Sequence, residues 1–388
     1  MSAVLAQPAS TPAALAGRMP LLDTAKGLAC LVIVAHHLCR YGPLPEAATA
    51  LSPGPIGWFA EHGRLAVQIF LVIAGFLAAG SLAPEGVLRT GSAGAWHRVW
   101  QRYARLAMPY LAALCVTVLV AAAIRPWFHN EVVPAAPVFT QLLAHGLLIQ
   151  DLLGYEALST GVWYVAIDFQ LFVLALVVVT LAEWLQRRWR LRAGRAAWLL
   201  AVLVLSLAMA SLFAFNLRSE LDGTALYFVG SYGLGMLAFW IGRIRSRAHW
   251  GAALALLASL GAAALAWDWR IRIAIALATA LLLAVAQRRG ALAAPPAWLA
   301  SRPLLWLGRI SYSLFLIHFP VILLVNALAS LAGADTPGLC LLDMALALAL
   351  AIGAAALLHR WVESRPASGR LTASLMAVLL ASGALVAA

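Results

Sequence analysis

Long apolar runs recur along the whole chain, each about as long as a helix that crosses a bilayer. A bilayer core is about 30 Å thick and takes about 20 mostly apolar helical residues. The runs predict about 11 spans and an all-α, polytopic helical bundle. The predicted spans are 22–40, 65–83, 104–124, 161–183, 197–215, 225–243, 249–267, 270–287, 304–331, 339–360 and 371–388.

Some apolar or aromatic segments between the runs do not fit a simple span. The stretch 138–153 is short and contains the titratable His145, so we predict a re-entrant or interfacial helix there. The segments 41–63 and 125–137 are rich in proline and glycine and carry tryptophan and histidine. They predict either a lid or acceptor-binding surface, or ordinary aromatic anchoring at the membrane interface.

The composition agrees with a membrane protein and leaves no room for a sizeable soluble domain. Hydrophobic residues make up 64% of the 388 residues and charged residues 11%, whereas a soluble domain carries about 25% charged residues. Residues 1–17, rich in Ala, Pro, Ser and Thr, predict a flexible cytoplasmic tail. The four cysteines form no CxxC pair or metal-ligand cluster, so we expect packed thiols and no metal.

The net charge is +12, and the basic residues that cause it are distributed along the chain as expected for a membrane protein. Its basic residues lie in short clusters between apolar runs, and such clusters favour the cytoplasmic side. A cytoplasmic N-terminus places 21 of the 27 lysines and arginines inside and 6 outside. We therefore predict a cytoplasmic N-terminus. We expect the protein to contact membrane lipid and not to bind nucleic acid.

Several polar side chains are predicted within the membrane, where each costs several kcal/mol and is a functional candidate. With a helical rise of about 1.5 Å per residue, His37 lies about 16 Å beyond Lys26, toward the outer face. The same rise places His318 about 21 Å into its span and Asp168 about 10 Å below the outer face. Gln68 lies at a similar depth. We predict that His37, His318, Asp168 and Gln68 share one layer in the outer half of the membrane.

A histidine beside a carboxylate in a water-restricted cavity is typical of a general base. His36 points about 100° away from His37 on the helix, so we expect only one of the two to face the cavity. The same residues suit a proton relay in a proton-coupled secondary transporter. A transporter of this kind predicts an internal repeat with matched broken helices, and we see none in the sequence.

Six segments carry polar motifs in a definite order along the chain. In the first, RMPLLDTAKGLACLVIVAHH, Asp23 is followed after three positions by Lys26 and after eleven more by His37. The others are VQIFLVIAGFL (67–77), RYARLAMPY (102–110), WYVAIDFQLF (163–172), ISYSLFLIHFP (310–320) and WVESRP (361–366).

These segments resemble the acyltransferase 3 family, the membrane-bound O-acyltransferases that modify bacterial surface polysaccharides and related glycans. The resemblance covers 18–366, and the span 371–388 is additional. Lys26 stands where the family has arginine, Gln68 where many members have an acid, and Asp168 where glutamate is commoner. The chain resembles the standalone form, without an appended hydrolase-like domain.

The resemblance implies a multi-pass protein of the bacterial inner membrane that uses acetyl-CoA or another acyl-CoA as substrate and needs no cofactor. The acceptor would be a hydroxyl of an extracytoplasmic glycan or glycoconjugate. His37 would either deprotonate this hydroxyl or first become acylated itself. The implied site has catalytic residues His37, Asp168 and His318, donor-binding residues Lys26, Arg102, Arg105 and Asp23, and acceptor or cavity residues Gln68, Gln170, Trp163, Ser311 and Tyr312. For Ser311 and Tyr312, helix packing is the alternative.

Overall fold

The computed structural model describes residues 19–88 and 94–387, and the predicted tail over 1–17 lies outside them. Within these ranges the structure is helical and has no strand. Eleven helices in the described part of the chain are long and apolar enough to cross a membrane, which confirms the predicted fold class and number of spans. The helices are α1 Pro20–Leu38, α2 Pro43–Ala48, α3 Pro53–His62, α4 Val67–Leu82, α5 Ala95–Ile124, α6 Phe139–Gly146, α7 Val162–Arg188, α8 Ala193–Phe213, α9 Ala225–Gly242, α10 Arg247–Trp267, α11 Ile271–Arg288, α12 Arg302–Leu331, α13 Pro337–Leu358 and α14 Gly369–Ala387.

The segment after α1 contains more helix than its proline and glycine content suggests. Pro43 and Pro53 open α2 and α3, positions where the fixed φ of proline favours a helix. A 3₁₀ turn over Gly63–Ala66 joins α3 to α4, so the second candidate span runs over Pro53–Leu82. The stretch 138–153 forms only the short helix α6 followed by turns, and it is not among the eleven candidate spans.

Helices α1 and α12 lie side by side in parallel, and a pair of glycines sets their close approach. A Cβ added to Gly27 would lie 2.9 Å from the backbone nitrogen of Gly308, and one added to Gly308 would collide with the carbonyl of Asp23. Small residues at such contacts let membrane helices approach closely. His37 lies ten residues after Gly27, and His318 lies ten residues after Gly308. The parallel packing therefore brings the two histidines to the same level.

The polar site lies among the central helices of the bundle. Of the eleven candidate spans, α9 is the most buried, with 83% of its apolar stretch inside the protein. By contrast, α10 has 17% and α14 has 22%, so these helices present most of their surface outward. Most site residues described below belong to α1, α4, α5, α7 and α12, which pack around α9 or against one another, and the others follow α13.

Candidate active site

Two cavities lie toward opposite ends of α1. The first, the charged cavity, has a volume of about 880 Å³ and includes Asp23 and Lys26 from the first two turns of α1. The second, the histidine cavity, has a volume of about 500 Å³ and includes His36 and His37 from the last turn. The sequence-predicted site is therefore divided between two compartments.

His37 and His318 form a hydrogen-bonded pair beside the histidine cavity. His37 Nδ1 lies 2.6 Å from His318 Nε2, and His318 Nδ1 lies 3.1 Å from the carbonyl oxygen of Leu314. A carbonyl can only accept, so a neutral His318 carries its proton on Nδ1 and accepts at Nε2. His37 must then donate from Nδ1, which leaves the lone pair of its Nε2 free. The network assigns His37 the tautomer that a general base requires.

His36 also borders the histidine cavity, so the expectation that only one of the adjacent histidines would face it does not hold. The side chains diverge around α1, but the cavity lies over the end of the helix and is wide enough to touch both. His36 Nδ1 donates to the carbonyl oxygen of Phe59 at 2.9 Å. His36 is therefore tied to α3, whereas His37 is tied to α12.

Asp168 lies against Arg102 and not against His37. Arg102 Nη2 donates to Asp168 Oδ2 at 2.5 Å, and the Asp168 side chain is only 5% exposed. Both residues line the charged cavity. Helix rise gives the depth of a residue but not the direction in which it points, and a buried carboxylate requires a charged partner. The long side chain of Arg102 supplies that partner, so His318 takes the orienting position expected for Asp168.

Two glutamines of the predicted site hold helices together. Gln68 Oε1 accepts a hydrogen bond of 2.6 Å from Ser231 Oγ on α9. Gln170 Oε1 accepts one of 3.1 Å from the backbone N–H of Ala225, at the start of α9. Neither side chain lines the two cavities described here. Trp163 does line the histidine cavity.

The remaining predicted residues all line the charged cavity. Lys26 Nζ lies 2.9 Å from the Asp23 carboxylate. Ser311 donates its hydroxyl proton to the carbonyl of Gly308 at 2.9 Å, and Tyr312 donates to that of Leu106 at 2.9 Å. Both hydroxyl protons are thus used within the bundle, and only the oxygen lone pairs remain for a ligand.

Three arginines of the charged cavity have no carboxylate partner among the described residues. They are Arg105, which the sequence analysis assigned to the donor, and Arg309 and Arg365, which it did not. All three side chains are exposed. Because arginine is always protonated and pairs with phosphate in a two-pronged contact, these groups suit a polyphosphorylated ligand.

The carboxylate of Glu363, which lines the same cavity, was not assigned from the sequence either. Glu363 Oε2 accepts from Ser313 Oγ at 2.6 Å and from the Ser313 backbone N–H at 3.2 Å, and His359 Nδ1 lies 3.2 Å from it. His359–Glu363 is a π-helical turn, a feature that is frequent at functional sites. The glutamate of the WVESRP segment was the available signal in the sequence.

The family assignment agrees with this arrangement. The family model described as an acyltransferase domain, that of the acyltransferase 3 family, matches residues 20–360. No curated protein and no solved structure matches the chain. The matched range contains both cavities except for Met19 and the residues after 360 that line the charged cavity. The chain belongs to the acyltransferase 3 family and is a multi-pass membrane acyltransferase.

Proposed function

We propose that the protein is an O-acyltransferase of the bacterial inner membrane. It moves an acyl group, acetyl in the simplest case, from cytoplasmic acyl-CoA to a hydroxyl of an extracytoplasmic glycan or glycoconjugate. The observation that carries the proposal is the oriented His37, whose free Nε2 stands beside one cavity while a cationic cavity lies toward the opposite end of the same helix. Separate compartments suit two substrates that come from opposite faces.

The charged cavity suits the donor. CoA carries phosphates on a bulky nucleotide and its thioester on a thin, extended arm. Arg105, Arg309 and Arg365 offer guanidinium groups without carboxylate partners, and charge-assisted contacts to phosphate are among the stronger hydrogen bonds. Lys26 adds a fourth cation beside Asp23. The arm can then extend along α12 toward His318.

The histidine cavity suits the acceptor. His37 Nε2 takes the proton of the acceptor hydroxyl as the oxygen attacks the thioester carbonyl. The C–S bond then breaks, and the CoA sulfur leaves with the proton that the histidine carries. His318 accepts a hydrogen bond from His37 Nδ1 throughout, which keeps the ring oriented. Trp163 on the cavity wall offers a broad apolar face to a sugar ring.

An acyl-His37 intermediate would begin with the same lone pair. In that route His37 Nε2 attacks the thioester directly, and the acceptor hydroxyl takes the acyl group in a second step. Rapid mixing of enzyme with acyl-CoA in the absence of acceptor separates the routes. One equivalent of free CoA released as a burst supports the acyl-enzyme, and no burst supports direct transfer.

Sealed, oriented proteoliposomes test the function as a whole. Acyl-CoA should be consumed only from the side of the loop between α7 and α8, and acylated acceptor should appear on the opposite side. A proton-coupled transporter would instead carry a solute without releasing CoA. If CoA release requires donor and acceptor on the same side, transfer across the membrane is refuted.

A further inference from the structure

One aromatic side chain, Phe315, forms part of the wall of both cavities. Among the described residues it alone belongs to both linings, and it is 4% exposed. It lies on α12 between Ser311 of the charged cavity and His318, four residues after the first and three before the second. These positions share one face of a helix. Phe315 is therefore the residue at which the two cavities approach each other.

Two further rings hold Phe315 in place. The ring centroid of Tyr164 on α7 lies 5.4 Å from that of Phe315, and the centroid of Phe70 on α4 lies 6.2 Å from it. Both Tyr164 and Phe70 line the charged cavity. We call Phe70, Tyr164 and Phe315 the aromatic partition. Its members come from three different helices, α4, α7 and α12, and their rings contact one another.

The outer edge of the Phe315 ring packs against backbone. Gly161, which lies immediately before α7 with φ +80°, has no side chain, and a Cβ there would lie 2.8 Å from Phe315 Cζ. Glycine is therefore favoured at this position by its backbone conformation and by the ring. The ring fills the space next to the histidine pair, with its centroid 6.3 Å from that of His318.

We propose that Phe315 is the barrier on the donor path: it seals the charged cavity from the histidine cavity, and the thin thioester-bearing arm of the donor displaces it to reach His37. An apolar constriction excludes water and ions by dewetting, so the ring keeps two open cavities from joining into a pore. The identity of the donor in this inference rests on the proposed function, whereas the seal does not.

Permeation through proteoliposomes tests the seal without any acyl transfer. Phe315→Ala should admit protons to a trapped pH-sensitive dye about tenfold faster or more, which corresponds to lowering a barrier by about 1.4 kcal/mol. Phe315→Leu, which keeps an apolar plug, should stay near the parent rate. Phe76→Ala is the matched control, because Phe76 is fully buried on α4 and lines neither cavity.

The outcomes distinguish the barrier from the proposed function. A Phe315→Ala protein that inserts normally but is no leakier than Phe76→Ala overturns the barrier. Added CoA should block the leak of Phe315→Ala if its arm enters the same passage. A leak that CoA does not reduce overturns the donor path past Phe315. Acyl transfer itself is judged separately, by CoA release from the parent protein.

Discussion

At the scale of single residues, the chemistry depends on which nitrogen of His37 carries a proton. The carbonyl of Leu314 determines the tautomer of His318, and His318 determines that of His37. No carboxylate takes part in this relay. The arrangement differs from a histidine–carboxylate pair because the partner of His37 Nδ1 is a second imidazole and not a carboxylate, so orientation is its main contribution.

The adjacent histidines should differ sharply in function. We expect His37→Ala to lower acyl transfer by about 10²–10⁴-fold, because a general base contributes about this much. His36→Ala removes the hydrogen bond to the carbonyl oxygen of Phe59 on α3 and should retain most of the activity. CoA release at equal amounts of inserted protein measures both. Equal losses from the two variants would contradict the assignment of His37 as the base.

The ion pair of Asp168 and Arg102 should contribute strongly to stability. Asp168→Ala leaves the partly buried guanidinium of Arg102 without its partner, and we expect a loss below the about 3–5 kcal/mol that breaking a fully buried pair costs. The double variant Asp168→Asn, Arg102→Gln removes both charges and should unfold at a higher temperature than Asp168→Ala. Thermal unfolding in detergent measures the difference. A double variant less stable than Asp168→Ala would show that the pair does not act as a unit.

At the scale of elements, the contact of α1 with α12 positions the histidine pair. Gly308→Leu would push its side chain into the carbonyl of Asp23 and separate the helices. A displacement of about 1 Å at a catalytic group can cost about 10²-fold in rate, so we expect a loss of that order. Gly353→Leu on α13 is the control, because a Cβ there meets nothing within 4 Å. Similar rates of acyl transfer from both variants would contradict the proposal that the glycine contact positions the histidine pair.

The short helix α6 should be sensitive to acid through His145. This ring is fully buried, lies 2.8 Å from the carbonyl of Gln141 through Nδ1, and accepts the N–H of Leu158 at Nε2. Burial lowers the pKa of His145 from 6.5 to about 4. The folded segment therefore favours neutral imidazole, and its stability is complete above about pH 6.5 and falls as the pH drops toward 4.

Hydrogen exchange across 139–158 measures this effect. Protection should decrease between pH 6.5 and pH 4.5 in the parent protein, after correction for the intrinsic exchange rate. His145→Gln keeps a polar side chain but does not titrate, so its protection should change less over the same range. A parallel decrease in both proteins would assign the acid sensitivity to another group.

At the scale of the whole molecule, the orientation predicted from the basic loops can be tested directly. Arg190 lies between α7 and α8, and Glu220 lies between α8 and α9; both are exposed. Cysteines introduced at these positions should react differently with an impermeant maleimide. In intact spheroplasts Glu220→Cys should be labelled, and Arg190→Cys only after permeabilisation. The reverse pattern would invert the topology and the proposed sides of donor and acceptor.

The sequence by itself determined the number of spans, the family and several of the polar residues around the two cavities. Length and hydropathy suffice for the spans, because a helix must be apolar over about 20 residues to cross the bilayer. Motif order suffices for the family. The sequence therefore predicted a role for Lys26, His37 and His318 without a structure. It also predicted that the stretch 138–153 does not span the membrane.

Only the tertiary structure decided which polar groups meet. Residues at one depth can point in different directions around their helices, and rise along an axis carries no information about that direction. For this reason the single predicted layer separated into the His37–His318 pair and the Asp168–Arg102 pair. Phe315 is an ordinary apolar residue in the sequence, and its place between two cavities arises from the packing of α4, α7 and α12.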